Sequence, residues 1–494
     1  MSENAYLKKK AISGLIWKFM ERVIAQTISL IVSVILARLL TPSDYGVVGI
    51  VAIFFTFANV IISGGLNTAL IQKKDADVHD YSSILILSVV ISVVLYILLF
   101  FTAPWAAVLF KKPLLTPIIR TMGLSLPIYA VKSVYCAYIS SNLKFRTFFF
   151  ATLGGTLVSA VIGITMAVNG FGAWALVAQQ VSNTCIDTVI LVAVTHMPFV
   201  LKFSINRVKS LFKYGSKIFV SSLIAAIYVE INPLIIGIKY TTADLSFYTK
   251  GKMFPTTVSQ TITSTLSAVL FPFLSKKQDD KAVLLQYTRR FMQVASFVVF
   301  PTMLGFLAVS DGFVRLVLTE KWMEASYYIK IFCIATMFDI VAVGNCETIK
   351  AMGRSDVYLK MEIIKKSAYF VTLALFIFLS RSPMQIAISA LVCTLIQIVV
   401  NSIPNRKLLG YTYRFQLEDL LPNLLSAIVM CVCVLLIGTL ELNSVVVTVL
   451  QIASGVAIYY VISLLTKNPS LKYITDQAGG VLKGLKRRKS DERE

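Results

Sequence analysis

Long apolar runs, separated by short polar connections, make up most of this sequence. Fourteen of the runs are long enough for membrane-spanning helices, since an α-helix needs ~20 apolar residues to cross the hydrocarbon core of a bilayer. They lie near residues 11–39, 44–66, 82–110, 115–140, 148–168, 172–196, 211–238, 245–274, 291–317, 325–349, 361–380, 384–403, 420–440 and 444–466. The longest connection has about 16 residues. The pattern therefore predicts an all-α integral membrane protein without an inserted soluble domain.

A helical hairpin within this pattern occurs twice, at an offset of 200 positions. In the first copy, at residues 35–72, Pro42 prevents the first helix from continuing, and Ser43 or Asp44 is predicted to cap the second helix. The residues shared by the two copies are Ile35/Ile235, Thr41/Thr241, Asp44/Asp244 and Thr56/Thr256.

A second stretch is repeated at a similar offset, since residues 135–146 match residues 345–356 in part. The matched pairs are Cys136/Cys346, Ile139/Ile349 and Lys144/Arg354. Two repeats at similar offsets predict a duplicated unit of about six helices, which is a common way to build a transporter. We predict an N-terminal lobe at 1–200, a C-terminal lobe at 201–410, two extra helices at 411–470 and a basic cytoplasmic tail at 471–494.

The composition and the distribution of charge agree with a membrane protein. Hydrophobic residues make up 57% of the chain and charged residues 15%, which is too apolar for a soluble protein of 494 residues. The side that carries both termini holds 33 lysines and arginines in its loops and tails, and the opposite loops hold 6. This asymmetry predicts cytoplasmic termini and an outside hairpin at 41–44. The basic tail is predicted to bind anionic lipid rather than nucleic acid.

Motifs of soluble enzymes are absent from the sequence. It contains no GxxxxGK[ST] phosphate loop, no HExxH and no nucleophile elbow in context, and its two histidines form no metal-binding cluster. The predicted outside loops are only a few residues long, whereas a membrane glycosyltransferase or polymerase normally needs a large outside loop. We therefore predict no enzymatic activity, no metal and no cofactor.

Eight basic residues lie inside or near the predicted helices. A charge at bilayer depth costs at least ~2.5 kcal/mol unless it meets a partner, a water-filled cavity or the interface. On the first helix, Lys18, Arg22 and Gln26 follow one helical face, and Glu21 lies one turn from Lys18. This face is expected to point into the bundle; the alternative is that Lys18 and Arg22 reach the cytoplasmic headgroups. The other six basic residues are Arg120, Lys132, Lys250, Lys252, Arg315 and Lys330.

Polar residues also follow one face of the eighth predicted helix and of the second helix, which is its counterpart in the repeat. The eighth helix carries Lys252, Thr256 and Gln260, and the second carries Thr56 and Asn59. Equivalent polar faces in two lobes predict a water-filled cleft between them. Two alternatives remain open, since threonine hydroxyls also bond to backbone carbonyls of their own helix and Lys252 can extend to the interface.

Acidic residues in apolar surroundings form a further group of candidates. A carboxylate in such a place can carry a proton, help to hold a cation or neutralise a neighbouring lysine. The sequence leaves these roles open. The members of this group are Glu21, Asp187, Glu230, Asp339 and Glu347.

Three segments of the chain resemble a known family. They are LARLLTPSDYGVVGI after a first helix that begins SGLIWKF, NGFGAWALVAQQ at 169–180 and FKYGSKIFVSSL at 212–223. The chain resembles the polysaccharide transporter family, the Wzx-like flippases of the multidrug/oligosaccharidyl-lipid/polysaccharide exporter superfamily. The resemblance extends over nearly the whole chain, and the LTPSDYG hairpin is its most specific part. It implies two pseudo-symmetric six-helix lobes around a central cavity, and two C-terminal helices with a lipid-facing groove for a polyprenyl tail.

The same resemblance implies a function. Wzx-like proteins move undecaprenyl-pyrophosphate-linked oligosaccharides across the bacterial cytoplasmic membrane by alternating access, for the synthesis of exopolysaccharide, O-antigen or capsule. It also implies a monomer, with polymerases or glycosyltransferases as possible partners, and it leaves open whether Na⁺, H⁺ or the membrane potential drives transport. Two alternatives are a cation-coupled drug exporter of the same superfamily, in which an acidic cavity is expected, and a membrane glycosyltransferase or ligase.

On this basis the polar residues of the helices receive expected roles. Cations are suited to the pyrophosphate, and hydroxyl and amide groups to the sugars. The pyrophosphate is expected to contact Lys18, Arg22, Lys132 and Lys252, and the sugars Gln26, Asn59, Thr256 and Gln260. Ion coupling or charge balance is expected from Glu21, Glu230, Asp339 and Glu347.

Overall fold

The computed structural model of the chain describes residues 3–476, apart from positions 74, 143 and 279 and the side chains of residues 3–16, 18, 19, 22, 269 and 272. Over these residues it is built from α-helices, with one π-helical turn (Val314–Leu318) and one 3₁₀ turn (Glu320–Trp322), and contains no β-strand. The first nine helices are α1 (Glu3–Leu39), α2 (Pro42–Ser63), α3 (Leu66–Gln72), α4 (Val78–Leu109), α5 (Leu115–Gly123), α6 (Ser125–Ser141), α7 (Phe145–Val168), α8 (Ala173–Thr195) and α9 (Ile205–Lys239). The others are α10 (Thr242–Ser275), α11 (Lys281–Phe313), α12 (Met323–Thr336), α13 (Asp339–Ala351), α14 (Ser355–Leu379), α15 (Pro383–Leu409), α16 (Tyr413–Ile437) and α17 (Ser444–Leu465).

Each predicted span coincides with one of these helices or with a consecutive pair. Two spans are broken in the middle: the fourth consists of α5 and α6, and the tenth of α12 and α13. Eleven helical segments of the described chain are long and apolar enough to cross a membrane, and the apolar part of α1, Val23–Leu39, is shorter. The all-α membrane fold is thus confirmed, whereas the count of fourteen spans stays a prediction.

The chain packs into two compact units, of which the first is Met1–Ser246. In unit 1, α7 packs against α1 and α8, and α4 packs against α5 and α6. Helix α9 packs against α2, α3 and α4, so it belongs to this unit by its contacts. The lobe boundaries derived from the internal repeat stay a prediction, because packing and repetition are separate criteria.

The second unit is Phe247–Glu494. Its central helix is α11, which packs against α12, α13, α16 and α17. Helix α15 packs against α12, α13 and α14. Large side chains fill this unit, and Trp322 and Phe300 are wholly buried. The two helices after the predicted second lobe, α16 and α17, therefore belong to unit 2, where they pack against α11.

Both copies of the repeated hairpin have the same hydrogen bonds at the helix start. In the first, the Thr41 amide donates to Asp44 Oδ2 at 3.0 Å and the Asp44 amide donates to Thr41 Oγ1 at 3.2 Å. In the second, the Thr241 and Asp244 pair repeats these bonds at 3.0 and 3.1 Å. The prediction that Ser43 or Asp44 caps α2 was wrong, because the Thr41 side chain is the cap and Asp44 closes a reciprocal capping box.

The two hairpins also touch each other within unit 1. Ser43 Oγ lies 2.9 Å from Thr242 Oγ1, at hydrogen-bond distance. The helix starts approach so closely that a Cβ atom on Gly46 would lie 1.7 Å from the Thr242 carbonyl oxygen. Only glycine is therefore compatible with this contact.

The second repeated stretch forms equivalent helix junctions. Lys144 precedes α7 with φ −89° and ψ 47°, and Arg354 precedes α14 with φ −86° and ψ 58°. The Lys144 amide donates to the Ile139 carbonyl at 3.0 Å, and the Arg354 amide donates to the Ile349 carbonyl at 3.2 Å. These residues are the pairs matched in the sequence, so the two copies of this stretch have the same local backbone structure.

Charged residues tie the start of α4 to the start of α9. Arg207 Nη1 donates to Asp77 Oδ1 at 2.5 Å and to Asp80 Oδ1 at 3.1 Å. Lys73 Nζ donates to Asp80 Oδ2 at 2.5 Å. The Arg207 hydrogen bond lowers the pKa of Asp77 to about 2. This cluster lies in a connection predicted to be cytoplasmic, and it links α9 to the start of α4 within unit 1.

Candidate functional site

The predicted polar face of α1 is described only in part. Lys18 and Arg22 lie outside the side chains that the structure describes. Between them Glu21 is 9% exposed, and it has an electrostatic or hydrogen-bonding partner. Gln26 is exposed. A buried Glu21 shows that this part of α1 turns an acidic group into the protein, whereas Gln26 lies at the surface of this conformation.

Helices α2 and α9 bring two predicted polar residues together in unit 1. Thr56 Oγ1 donates to Glu230 Oε1 at 3.0 Å and also lies 3.0 Å from the Ala52 carbonyl. Asn59, one turn further along α2, is half-buried. Glu230 therefore faces the polar side of α2. This arrangement places a carboxylate, a hydroxyl and an amide in one region of the unit.

Lys132 forms an ion pair with Asp187 between α6 and α8. Lys132 Nζ lies 2.5 Å from Asp187 Oδ2, and the two side chains are 23% and 4% exposed. The carboxylate is pressed against α7, where a Cβ on Gly155 would lie 2.6 Å from Asp187 Oδ1. Lys132 is thus neutralised by a residue of its own unit in this conformation, and a bound anion would have to replace Asp187.

In unit 2, the residues predicted to form the polar face of α10 are half-buried or exposed. Lys252 is half-buried, and its Nζ lies 5.9 Å from the centre of the Tyr248 ring and 6.0 Å from that of Phe332, the outer limit of a cation–π contact. Thr256 is half-buried and donates to the Lys252 carbonyl at 2.8 Å. Gln260 is exposed. The Thr256 hydroxyl therefore donates its hydrogen bond within its own helix, as in the first of the two alternatives that the sequence left open.

The two acidic candidates of the tenth span have different surroundings. Asp339 Oδ2 accepts a hydrogen bond from Ser259 of α10 at 3.1 Å, and no lysine or arginine of the described residues forms an ion pair with it. Glu347 Oε1 accepts from Lys350 Nζ at 3.1 Å. Glu347 thus has its own counter-ion, whereas Asp339 is bound by a neutral hydroxyl.

Three other basic residues inside helices also have local partners. Arg120 lies over the Phe100 ring at 4.1 Å and donates to the Phe100 carbonyl. Lys330 Nζ is 2.8 Å from Asp311, and Arg315 Nε is 2.6 Å from Glu320. Each of these three cations therefore has a partner close by in its own unit, which makes it a poor candidate for substrate contact.

Sequence reasoning missed a polar network in unit 2, in which Asp419 is buried and Arg289 is 30% exposed. Arg289 donates through Nε and Nη2 to both oxygens of Asp419, at 2.9–3.2 Å. The same carboxylate accepts from Gln293 at 2.7 Å and from Tyr411 at 3.0 Å. Arg289 lies two residues before the predicted span at 291–317, whereas α11 begins at Lys281. No local pattern links residues 130 positions apart.

Comparisons with known proteins give the chain a family. The model of the family described as "Polysaccharide biosynthesis protein" matches residues 35–327. The lipopolysaccharide biosynthesis protein WzxC of Escherichia coli (strain K12) is 22% identical over 73% of this chain and 73% of its own. The succinoglycan biosynthesis transport protein ExoT of Rhizobium meliloti (strain 1021) is 24% identical over 59% of each chain.

A solved structure shares the fold. The lipid II flippase MurJ in an inward closed conformation superposes with a TM-score of 0.74, at 14% sequence identity, over 92% of this chain and 98% of that chain. The family match extends over more than half of the chain, and it includes the repeated hairpin from which the resemblance was inferred. The chain therefore belongs to the polysaccharide biosynthesis protein family.

Proposed function

We propose that this protein is a flippase that moves undecaprenyl-pyrophosphate-linked oligosaccharides across the bacterial cytoplasmic membrane for polysaccharide biosynthesis. The observation that carries the proposal is the family match over residues 35–327. The name of ExoT includes transport, and that of MurJ includes lipid II flippase activity. The membrane-spanning helices of the chain and its lack of enzyme motifs are consistent with transport rather than catalysis.

The chemistry of the helices suits such a substrate. A pyrophosphate carries at least two negative charges, which cannot enter hydrocarbon without compensating groups. We assign the pyrophosphate to Lys18, Arg22 and Lys252, with Lys132 joining them when the substrate replaces Asp187. The sugars are assigned to Gln26, Asn59 and Gln260, and Thr256 joins them as an acceptor, since its hydroxyl proton is donated to its own helix. Glu21 and Glu230 supply the counter-charges of unit 1.

Replacing Arg22 with alanine is expected to reduce export of the glycan roughly ten- to hundredfold, because a charge-assisted hydrogen bond to the pyrophosphate is lost. Export is measured as surface polysaccharide in cells, and membrane levels of the protein are measured in parallel. Arg414→Ala is the control, since that side chain is 87% exposed and pairs with Glu418. Normal export by alanine variants of all four assigned cations, Lys18, Arg22, Lys132 and Lys252, would contradict the proposal.

Purified protein in vesicles tests the reaction itself. We expect it to move a labelled lipid-linked oligosaccharide between leaflets and to leave the molecule chemically unchanged. A glycosyltransferase or ligase would instead change the mass of the labelled lipid. Mass spectrometry of the recovered lipid therefore separates the two functions.

Asp339 is the residue that we assign to proton coupling, because it is bound by a neutral serine rather than by a cation. If protons drive transport, collapse of the pH gradient is expected to slow export by the native protein and not by Asp339→Asn. Glu347→Gln is the matched control, since Glu347 is paired with Lys350, and this variant should keep its sensitivity. An Asp339→Asn protein that remains as sensitive as the native protein would contradict the assignment.

A further inference from the structure

An apolar groove runs along unit 2 between α11, α16 and α17. Its volume is about 570 Å³, and its lining is almost entirely apolar. The lining includes Phe297, Pro301, Gly305, Val434, Val456 and Leu471. Val456 is 70% exposed, so the groove opens on the outer surface of its helices. We call it the α11 groove.

A polar pocket of about 800 Å³ continues the α11 groove towards the start of α11. Both use one face of that helix, since Gln286, Arg290, Gln293, Phe297, Pro301 and Gly305 follow at steps of 4, 3, 4, 4 and 4 residues. Residues at these steps lie one above another on a helix. The start of α11 lies on the side that the distribution of basic residues predicts to be cytoplasmic.

The helical segment at 469–476 lines both the α11 groove and the polar pocket. Leu471 lines the groove and Tyr473 lines the polar pocket. The segment is attached to α11 by a hydrogen bond from Ser470 Oγ to the Gln293 carbonyl at 3.1 Å, and Ser470 is 1% exposed. The groove and the polar pocket therefore share two walls, which are α11 and the segment at 469–476.

The two adjacent arginines of α11 have different partners. Arg289 is held by both oxygens of Asp419. Arg290 lies over the Tyr473 ring at 4.1 Å and within 3.5 Å of Gln293 Oε1. No carboxylate of the described residues forms an ion pair with Arg290. A guanidinium stacked on a ring keeps the N–H groups in its plane available to a phosphate.

We propose that this site binds an anionic phospholipid of the cytoplasmic leaflet, with its phosphate on Arg290 and one acyl chain in the α11 groove. The groove runs from Phe297 to Val309, which is about 18 Å at the helical rise. Half of a bilayer core is about 15 Å, so the groove has the depth of one leaflet. A groove at the two C-terminal helices is also what the family resemblance implies for a polyprenyl tail. The match to the depth of one leaflet favours a phospholipid, and competition with undecaprenyl phosphate tests this choice.

Binding of lipids to the delipidated full-length protein, followed by native mass spectrometry, tests the proposal. Phosphatidylglycerol is expected to bind roughly fivefold more tightly than phosphatidylcholine with the same acyl chains. Arg290→Gln should abolish this preference, and Arg414→Gln, at an exposed position outside the site, should retain it. Gly305→Phe should weaken binding of both lipids, because it fills the groove next to Met430, which lies 3.6 Å from a Cβ at Gly305.

Three outcomes would overturn the proposal. The first is equal binding of the two phospholipids by the native protein, and the second is an unchanged preference in a folded Arg290→Gln protein. The third is displacement of phosphatidylglycerol by an equal concentration of undecaprenyl phosphate, which would assign the groove to the glycan carrier. Thermal unfolding of each variant identifies loss of binding that results from misfolding. All of these readouts are independent of flippase activity.

Discussion

Cysteines at positions 43 and 242 are expected to form a disulfide bond that reduces glycan export to background. The Oγ atoms of Ser43 and Thr242 are 2.9 Å apart, so paired thiols would lie within reach of each other. The expectation is that the two hairpins, which touch in this conformation, move apart when the protein opens to the outside by alternating access. A covalent bond between them would prevent this step. Export is measured in cells before and after treatment with a membrane-impermeant oxidant.

A reductant should restore export, and the single variants Ser43→Cys and Thr242→Cys should export normally under both conditions. The native chain is a necessary control, since it contains seven cysteines of its own. Alkylation of remaining thiols measures the fraction that is cross-linked. Normal export by fully cross-linked protein would show that the hairpins stay together throughout transport. Accessibility to the external oxidant also tests the predicted orientation.

Asp187→Asn is expected to lower the free energy of unfolding by about 3–5 kcal/mol, because it leaves the Lys132 ammonium without its partner in the interior. Asp187 is 4% exposed in the pair and Lys132 is 23% exposed. Lys132→Met should have a similar effect, and the double variant should recover most of the loss. Unfolding is followed in detergent by intrinsic fluorescence. Glu320→Gln is the control, since its exposed pair with Arg315 contributes at most about 1 kcal/mol.

The double variant also decides the role of Lys132. If the ammonium binds pyrophosphate after release from Asp187, the Lys132→Met/Asp187→Asn protein should fold and yet fail to export. Normal export by the folded double variant would make the pair structural, and would remove Lys132 from the substrate path. Stability and transport therefore need to be measured on the same preparation.

The predicted helices agree with the structure because run length and local chemistry determine them. An apolar run of the right length forms a helix in the bilayer regardless of its distant neighbours. The repeated Thr41 and Thr241 positions predicted equivalent hairpins, although the capping atom was misassigned. The predicted cap was wrong because the Thr41 and Asp44 side chains can accept hydrogen bonds from the first amides of the helix in more than one arrangement. Only the backbone geometry selects one arrangement.

The candidate site was predicted less completely. Residue types and helical spacing identified Glu230, Thr56 and Asp339 as polar groups inside the bundle. In the structure, Glu230 accepts a hydrogen bond from Thr56. The partners of the cations were not predicted. Lys132 meets Asp187 from 55 positions away, and Arg289 meets Asp419 from 130 positions away. Both acids are on helices that the sequence alone could not place next to the cations.

The sequence by itself determined the membrane class, the helix positions, the repeat and the family of this protein. Each follows from patterns within about twenty neighbouring residues or from motifs read directly along the chain. The tertiary structure alone decided which charges are neutralised, and it brought Arg290, Tyr473 and the α11 groove into one site. The reason is that the energy of a buried charge depends on the distance to its partner in space, which separation along the chain does not reveal.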